Sequence, residues 1–250
     1  MTVPDLERPG RMALAGGTLG LGALSLIFGK LNPGLQPPLE LLGDGRLLAY
    51  GAGGVLAIAG LSLLGPSRLV RNGGLVLGVF WLAWIVLGHG WKVRADLTDV
   101  AAWVSLTEAA GMAIAAWLLS RSSEAPPRQG TQWTARMVVG LMLVWFGAVH
   151  LIYRGAIAGM IPAWMPAQDL WPWVTGAANI AAGLGLFTGV LGRLAGALAG
   201  LMFASWIALV HVPNLIAKPG DQAEWTALAL NLALIGVVWL TGSLAFRRPA

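Results

Sequence analysis

One carboxyl group and three imidazoles are the groups of this chain best placed to move a proton inside apolar surroundings. Glu108 stands in VAAWVSLTEAAGMAIAAWLL, a run from Val100 to Leu119 with no other charged residue. A charged acid at the middle of a bilayer costs a few kcal/mol, which leaves it two roles. It is either a neutral structural hydrogen-bond partner or a group that handles a proton or faces a ligand. His89, His150 and His211 each stand near the end of an apolar stretch. A neutral imidazole donates at one nitrogen and accepts at the other, which suits a polar ligand head, but the same residue also serves as a plain interfacial group. Tyr153 and Arg154 follow His150 by three and four residues, a spacing that predicts one shared helical face. Asn179 and Asn231 lie about two turns inside their own runs, and Asn214 follows His211 and Pro213. Buried asparagines of this kind are interhelical glue, worth about 0.6 kcal/mol each, or ligand contacts.

Several chemistries are excluded or unsupported. There are no cysteines, so disulfides, thiol catalysis and thiolate metal sites are absent. The three histidines have no i, i+4 pairing, and no metal site is expected. Haem ligation by His150 and His211 would place the iron too near the surface. No dinucleotide fingerprint follows a strand, so no cofactor is evident and enzymatic activity stays open.

The segments that carry these residues are legible as membrane spans. The chain has 250 residues, is 57% hydrophobic and only 11% charged, against about 25% charged in soluble domains. Mean hydropathy is +0.72. Apolar runs cover Met12–Phe28, Leu47–Leu64, Leu69–Leu87, Val100–Leu119, Met137–Tyr153, Leu170–Val190, Leu194–Val212 and Trp225–Thr241. Their lengths approach the ~20 residues that a spanning helix requires. Helix is the only assignment that satisfies backbone polar groups inside lipid, and the runs do not alternate as barrel strands would. The fold class is therefore an all-α integral membrane protein with eight transmembrane helices. The sequence pI near 10.4 then reports loop orientation and not nucleic-acid binding. The lipid bilayer is the one partner that composition itself specifies.

The eight runs fall into two groups of four. A shift of 125 residues aligns Arg11-Met12 with Arg136-Met137, Pro37 with Pro162, Asp44 with Asp169, Gly51-Ala52 with Gly176-Ala177, Arg68 with Arg193 and Trp81 with Trp206. No gap is needed across three helices. We read a tandem duplication, with a first unit over residues 1–120, a linker at 121–132 (RSSEAPPRQGTQ) and a second unit over 133–250. Four helices per unit make the repeats parallel and not inverted. The first apolar run could be a cleaved signal segment, but its partner at Met137 is internal, so a retained helix is expected. One set of loops holds ten Lys and Arg residues and the other six, which predicts cytoplasmic termini. The loop MIPAWMPAQDLWPW, from Met160 to Trp173, then faces outward. Its prolines forbid a long helix. Trp164 and Trp173 belong either to an aromatic belt or to a lid over the outer mouth of the bundle. Glycines at 74, 78, 192, 196 and 200 are read as close-packing positions.

The second unit resembles the DoxX-like membrane protein family. The resemblance rests on the Gly147-to-Arg154 stretch with His150, on Pro162-Ala163-Trp164 with Pro166, and on TGAANIAAGLGL from Thr175. It continues through Arg193, HVPN from His211 and EWTALALNLALIG from Glu224. The first unit is similar more faintly, through YGAGGVLAIAGLSLL, Arg68 and WVSLTEAAG around Glu108, with Ser25 where the second unit has His150. The resemblance implies a four-helix unit and a membrane subunit or quinone- or lipid-facing partner of a redox system, because such proteins are similar to the membrane subunit of a thiosulfate:quinone oxidoreductase. A redox partner protein and a quinone or lipid-like ligand are then expected. Two other classes stand beside it: a small-solute or proton-coupled carrier, and a non-catalytic scaffold. The expected ligand cavity lies between the fifth, sixth and seventh helices. His150, Asn179 and His211 line it, beneath Trp164 and Trp173.

Overall fold

A computed structural model describes residues 4–38, 45–122 and 127–247. All regular structure among these residues is helical: α1 (Glu7–Phe28), α2 (Gly45–Leu63), α3 (Ser67–Trp84), α4 (Gly90–Ala95), α5 (Val100–Ser122), α6 (Gln129–Ile152), α7 (Arg154–Gly159), α8 (Trp171–Thr188), α9 (Gly192–Trp206), α10 (Val212–Ala217) and α11 (Gln222–Leu244). Among the described residues, seven helical stretches are long and apolar enough to cross a membrane, with α3–α4 and α9–α10 each forming one of them. The remaining long helix, α8, carries Trp171, Pro172, Trp173 and Asn179. It lies in the same bundle, packed between α6 and α9. Asp44, used in the repeat alignment, lies outside the described residues.

Around the bundle, neighbours run α1, α2, α3, α5, α6, α8, α9, α11 and back to α1, with α5 and α11 touching across the middle. Small residues set the tightest contacts. A Cβ on Gly17 of α1 would fall 2.4 Å from the Ala233 backbone nitrogen of α11, and one on Gly236 would fall 2.4 Å from that of Leu14. Helices α6 and α8 meet in the same way through Gly140, Gly147, Gly176 and Gly183. By contrast, larger side chains stand between α5 and α6, with Trp103 against Trp145 and the Met142 sulfur over Gly111. Space is left beside that contact.

The close approach of α6 and α8 makes a stability prediction. In Gly147→Ala the new methyl would sit 2.5 Å from the Gly176 carbonyl oxygen, a backbone atom that cannot swing aside. The two helices must separate, at a cost of about 1–3 kcal/mol. Thermal unfolding in detergent should show the loss; an unchanged midpoint would contradict the contact.

Arginines close the helix ends at one face. Arg136 donates from Nε to the Leu186 carbonyl and from Nη2 to that of Phe187, both at 2.9 Å, at the C-terminal end of α8. Arg11 reaches the Gly65 carbonyl beyond α2 at 3.5 Å. A cation beside unsatisfied terminal carbonyls is favourable, which explains why arginine recurs 125 residues on. At the same face Arg247 pairs with Asp5 at 3.2 Å and with Glu7. The Glu7 backbone N–H and the Arg247 guanidinium hold the Asp5 carboxyl below the usual carboxylate range.

Three expectations from sequence are corrected. The linker does not reach residue 132, because α6 begins at Gln129. Gln132 is buried and its Nε2 donates to the carbonyls of Leu244 and Arg247, at 3.2 and 2.9 Å. Next, α6 ends at Ile152, and Tyr153 leaves helical geometry before α7 begins, so Tyr153 and Arg154 do not continue the face of His150. Last, the gap-free register breaks in the third helix. Both α3 and α9 run into a single π-helical turn, Ile85–His89 and Ile207–His211. The segments are WIVLGH and WIALVH, and they are separated by 207 − 85 = 122 residues, not 125. A shift of 122 residues thus sets Trp84 against Trp206, and α3 is 18 residues long where α9 has 15.

Candidate functional site

The space beside the α5–α6 contact is a cavity of about 310 Å³. Five helices wall it: α5, α6, α8, α9 and α11, with Ile157 of α7 and the following loop across one end. Phe146, Phe203, Trp171 and Trp206 supply aromatic wall. Six polar side chains line it, and no lysine or arginine does: Glu108, His150, Thr175, Asn179, His211 and Asn231.

Each polar group is set by its helix. His150 Nδ1 lies 2.7 Å from the Phe146 carbonyl one turn back, which requires the proton on Nδ1. The Nε2 lone pair is then left for the cavity. This corrects an expectation from sequence: the neutral ring offers the cavity an acceptor only, because helix backbone consumes its donor. Asn231 Nδ2 lies 2.7 Å from His211 Nε2, and Asn231 Oδ1 is buried without a partner. Asn179 is 2% exposed, and its Oδ1 also lacks a partner. Glu108 is buried on α5. With Val104, it brings α5 of the first half of the chain into a site whose other lining residues come from the second.

The Pro- and Trp-rich loop lies across part of one end of the cavity with its aliphatic groups. Ile161 and Met165 pack on Val210, with Trp171, Trp206 and Leu209 around them. Gln168 Nε2 holds the turn by donating to the Ile161 and Pro162 carbonyls at 2.8 and 3.1 Å. Trp171 donates its Nε1 to the Pro166 carbonyl and meets the Trp206 ring edge to face, with centroids 5.8 Å apart. Its backbone carbonyl accepts the Thr175 hydroxyl at 2.7 Å.

Five of the residues expected at the site do not line it. Trp164 and Trp173 are 60% and 50% exposed, because the loop turns Ile161 and Met165 inward and the two indoles outward. Trp171 takes the inward aromatic position. Tyr153 and Arg154 lie beyond the end of α6, and the Arg154 guanidinium sits over the Trp173 ring at 5.6 Å. Asn214 lies on α10, one turn past the π-helical segment. His89 is fully buried elsewhere, with both ring nitrogens unpartnered.

Glu108 and Asn231, both expected from sequence as ligand contacts, line the same cavity because it extends beyond the three expected helices to α5 and α11. The pair WIVLGH and WIALVH, which marks the turn that carries His211, went unrecognised although it was visible in the sequence. Among the described residues no three His, Asp or Glu side chains stand close enough to hold a metal ion. Compared with protein-family models, curated proteins and solved structures, the chain shows no significant match to any of them.

Proposed function

We propose that this chain is a polytopic membrane protein of two parallel four-helix units whose second unit holds an intramembrane cavity open toward the outside for a small amphipathic ligand. α8 is the eighth span, bringing the count to an even number in each unit. The recurrence of a π-helical turn at the end of the third long helix of each unit supports this arrangement. Following the DoxX-like resemblance, the cavity serves a membrane subunit or a quinone- or lipid-facing partner of a redox system.

The observation that carries this reading is the convergence of six polar side chains from both halves in one aromatic-walled cavity. A buried polar group without a partner is costly, and Asn179 and Asn231 both bring such an oxygen here. A ligand head satisfies them while its apolar body lies on the aromatic wall, as in most small-molecule sites. Gentle detergent purification followed by mass spectrometry of co-purified quinones and lipids is the direct test. A retained molecule should fall about tenfold in His150→Ala and in Asn179→Leu, the loss of one buried hydrogen bond each. Retention equal to wild type in both variants would remove the cavity from the function.

A carrier reading has one observation of its own, the acid at Glu108 with no lysine or arginine facing it across the cavity. Proton-coupled flux in proteoliposomes that disappears in Glu108→Gln would favour it over the redox reading.

A further inference from the structure

The place in the first half that corresponds to the cavity is filled by the chain itself. Asn32 and Leu35 are fully buried, and Gln36 is nearly so. The Asn32 amide nitrogen donates to the Leu21 carbonyl at 3.1 Å, to Ser25 Oγ at 3.0 Å and to Gln36 Oε1 at 2.8 Å. On the other side Thr226 of α11 donates to Asn32 Oδ1 at 3.4 Å, and Gln222 Nε2 donates to the Lys30 and Leu31 carbonyls.

A shift of 125 residues carries Leu21, Ser25, Asn32, Leu35 and Gln36 onto Phe146, His150, Ile157, Met160 and Ile161. All five of those residues line the open cavity. The same positions thus fill the space in one half and wall it in the other. The seal from the facing helix also differs. Taking the 122-residue separation of the π-helical turns, Gln222 and Thr226 of α11 correspond to Val100 and Val104 of α5. Valine side chains cannot tether a loop by hydrogen bonds, and the second half stays open.

We propose that the first half is a self-occupied copy of the site, and that its occupant identifies the ligand class of the open one. That ligand is an amphipathic molecule whose head carries an O–H or N–H donor, presented to His150. The inference rests on the reading of the cavity as a ligand site. Two independent observations meet in it. In the closed copy, the group beside Ser25 is an amide N–H donor. In the open copy, the residue at that position offers only the acceptor Nε2 of His150, and the nearby Asn179 and Asn231 oxygens also await donors. A head with carbonyl oxygens alone, as in an oxidised quinone, would set acceptor against acceptor there, so within the redox reading the ligand is the quinol or a lipid whose head carries such a donor.

Matched probes test the donor directly. The full chain in detergent is titrated calorimetrically with 4-octylphenol against 4-octylanisole, and with octanamide against N,N-dimethyloctanamide. Ala227→Trp, which fills the cavity from α11, serves as the blank for partition into micelles. In each pair the donor-bearing member should bind at least ~10-fold more tightly, and the preference should fall to about unity in His150→Ala. Should that variant prove unstable, His150→Phe keeps the ring volume and removes the acceptor. Equal binding of both members would overturn the donor inference and leave the cavity standing. A preference that survives both His150 variants would overturn the assignment to His150. No binding above the Ala227→Trp blank by any probe would overturn the donor inference together with the ligand-site reading on which it rests.

Discussion

Leu35→Ala should lower stability by about 2–5 kcal/mol, while Met160→Ala, at the corresponding position of the second half, should change it by less than about 0.5 kcal/mol. The sequence offers no reason for the difference, since both are large apolar residues in proline-rich loops after the first helix of a unit. The structure does. Leu35 is fully buried in the main core, whereas Met160 is 59% exposed at the cavity rim. Truncating Leu35 leaves a void that its neighbours, held by the Asn32 hydrogen bonds, cannot close. The void term applies in lipid as in water, because it reflects lost contacts with packed atoms. Truncating Met160 widens an opening that already exists. Thermal or denaturant unfolding of the two variants in one detergent reads the contrast, and equal effects would show that the first-half loop does not fill a counterpart of the cavity.

That contrast also marks where sequence reading ends. The helices were legible because apolar length is a local property, as were the polar residues that interrupt them. Five of those residues, Glu108, His150, Asn179, His211 and Asn231, share one cavity. Which helices face one another is not local. Glu108 joins the site because α5 lies between α3 and α6 and also touches α11, a closure no helical wheel contains. The three-residue change of register hid the likeness of His89 to His211, since a gap-free comparison steps past it. Loop side chains obey no period either: Trp164 is turned outward by a loop that Gln168 fixes. Trp171 and Trp173 open α8, where two residues are about 200° of helix, so they face opposite ways; the prolines around them hide that helix start from the sequence.

Orientation in the membrane is the second large effect, because labelling of an exposed thiol from one side is all or none. The chain contains no cysteine, so single-cysteine variants have no background. Trp164→Cys places a thiol on an exposed residue of the loop at the cavity end. Gln129→Cys places one at the opposite face, at the exposed first turn of α6. On the eight-span arrangement proposed above, the ten-to-six division of basic residues predicts a cytoplasmic Gln129 face. Arg11, Arg136 and Arg247 of that face spend their charge on helix ends and on Asp5 and Glu7, but the rule counts Lys and Arg near the spans and not net charge, so the bias survives those pairings. In intact spheroplasts a membrane-impermeant maleimide should therefore label Trp164→Cys and spare Gln129→Cys until the membrane is opened. The reverse pattern would turn the cavity toward the cytoplasm, and its ligand would then have to be sought among molecules of the inner leaflet.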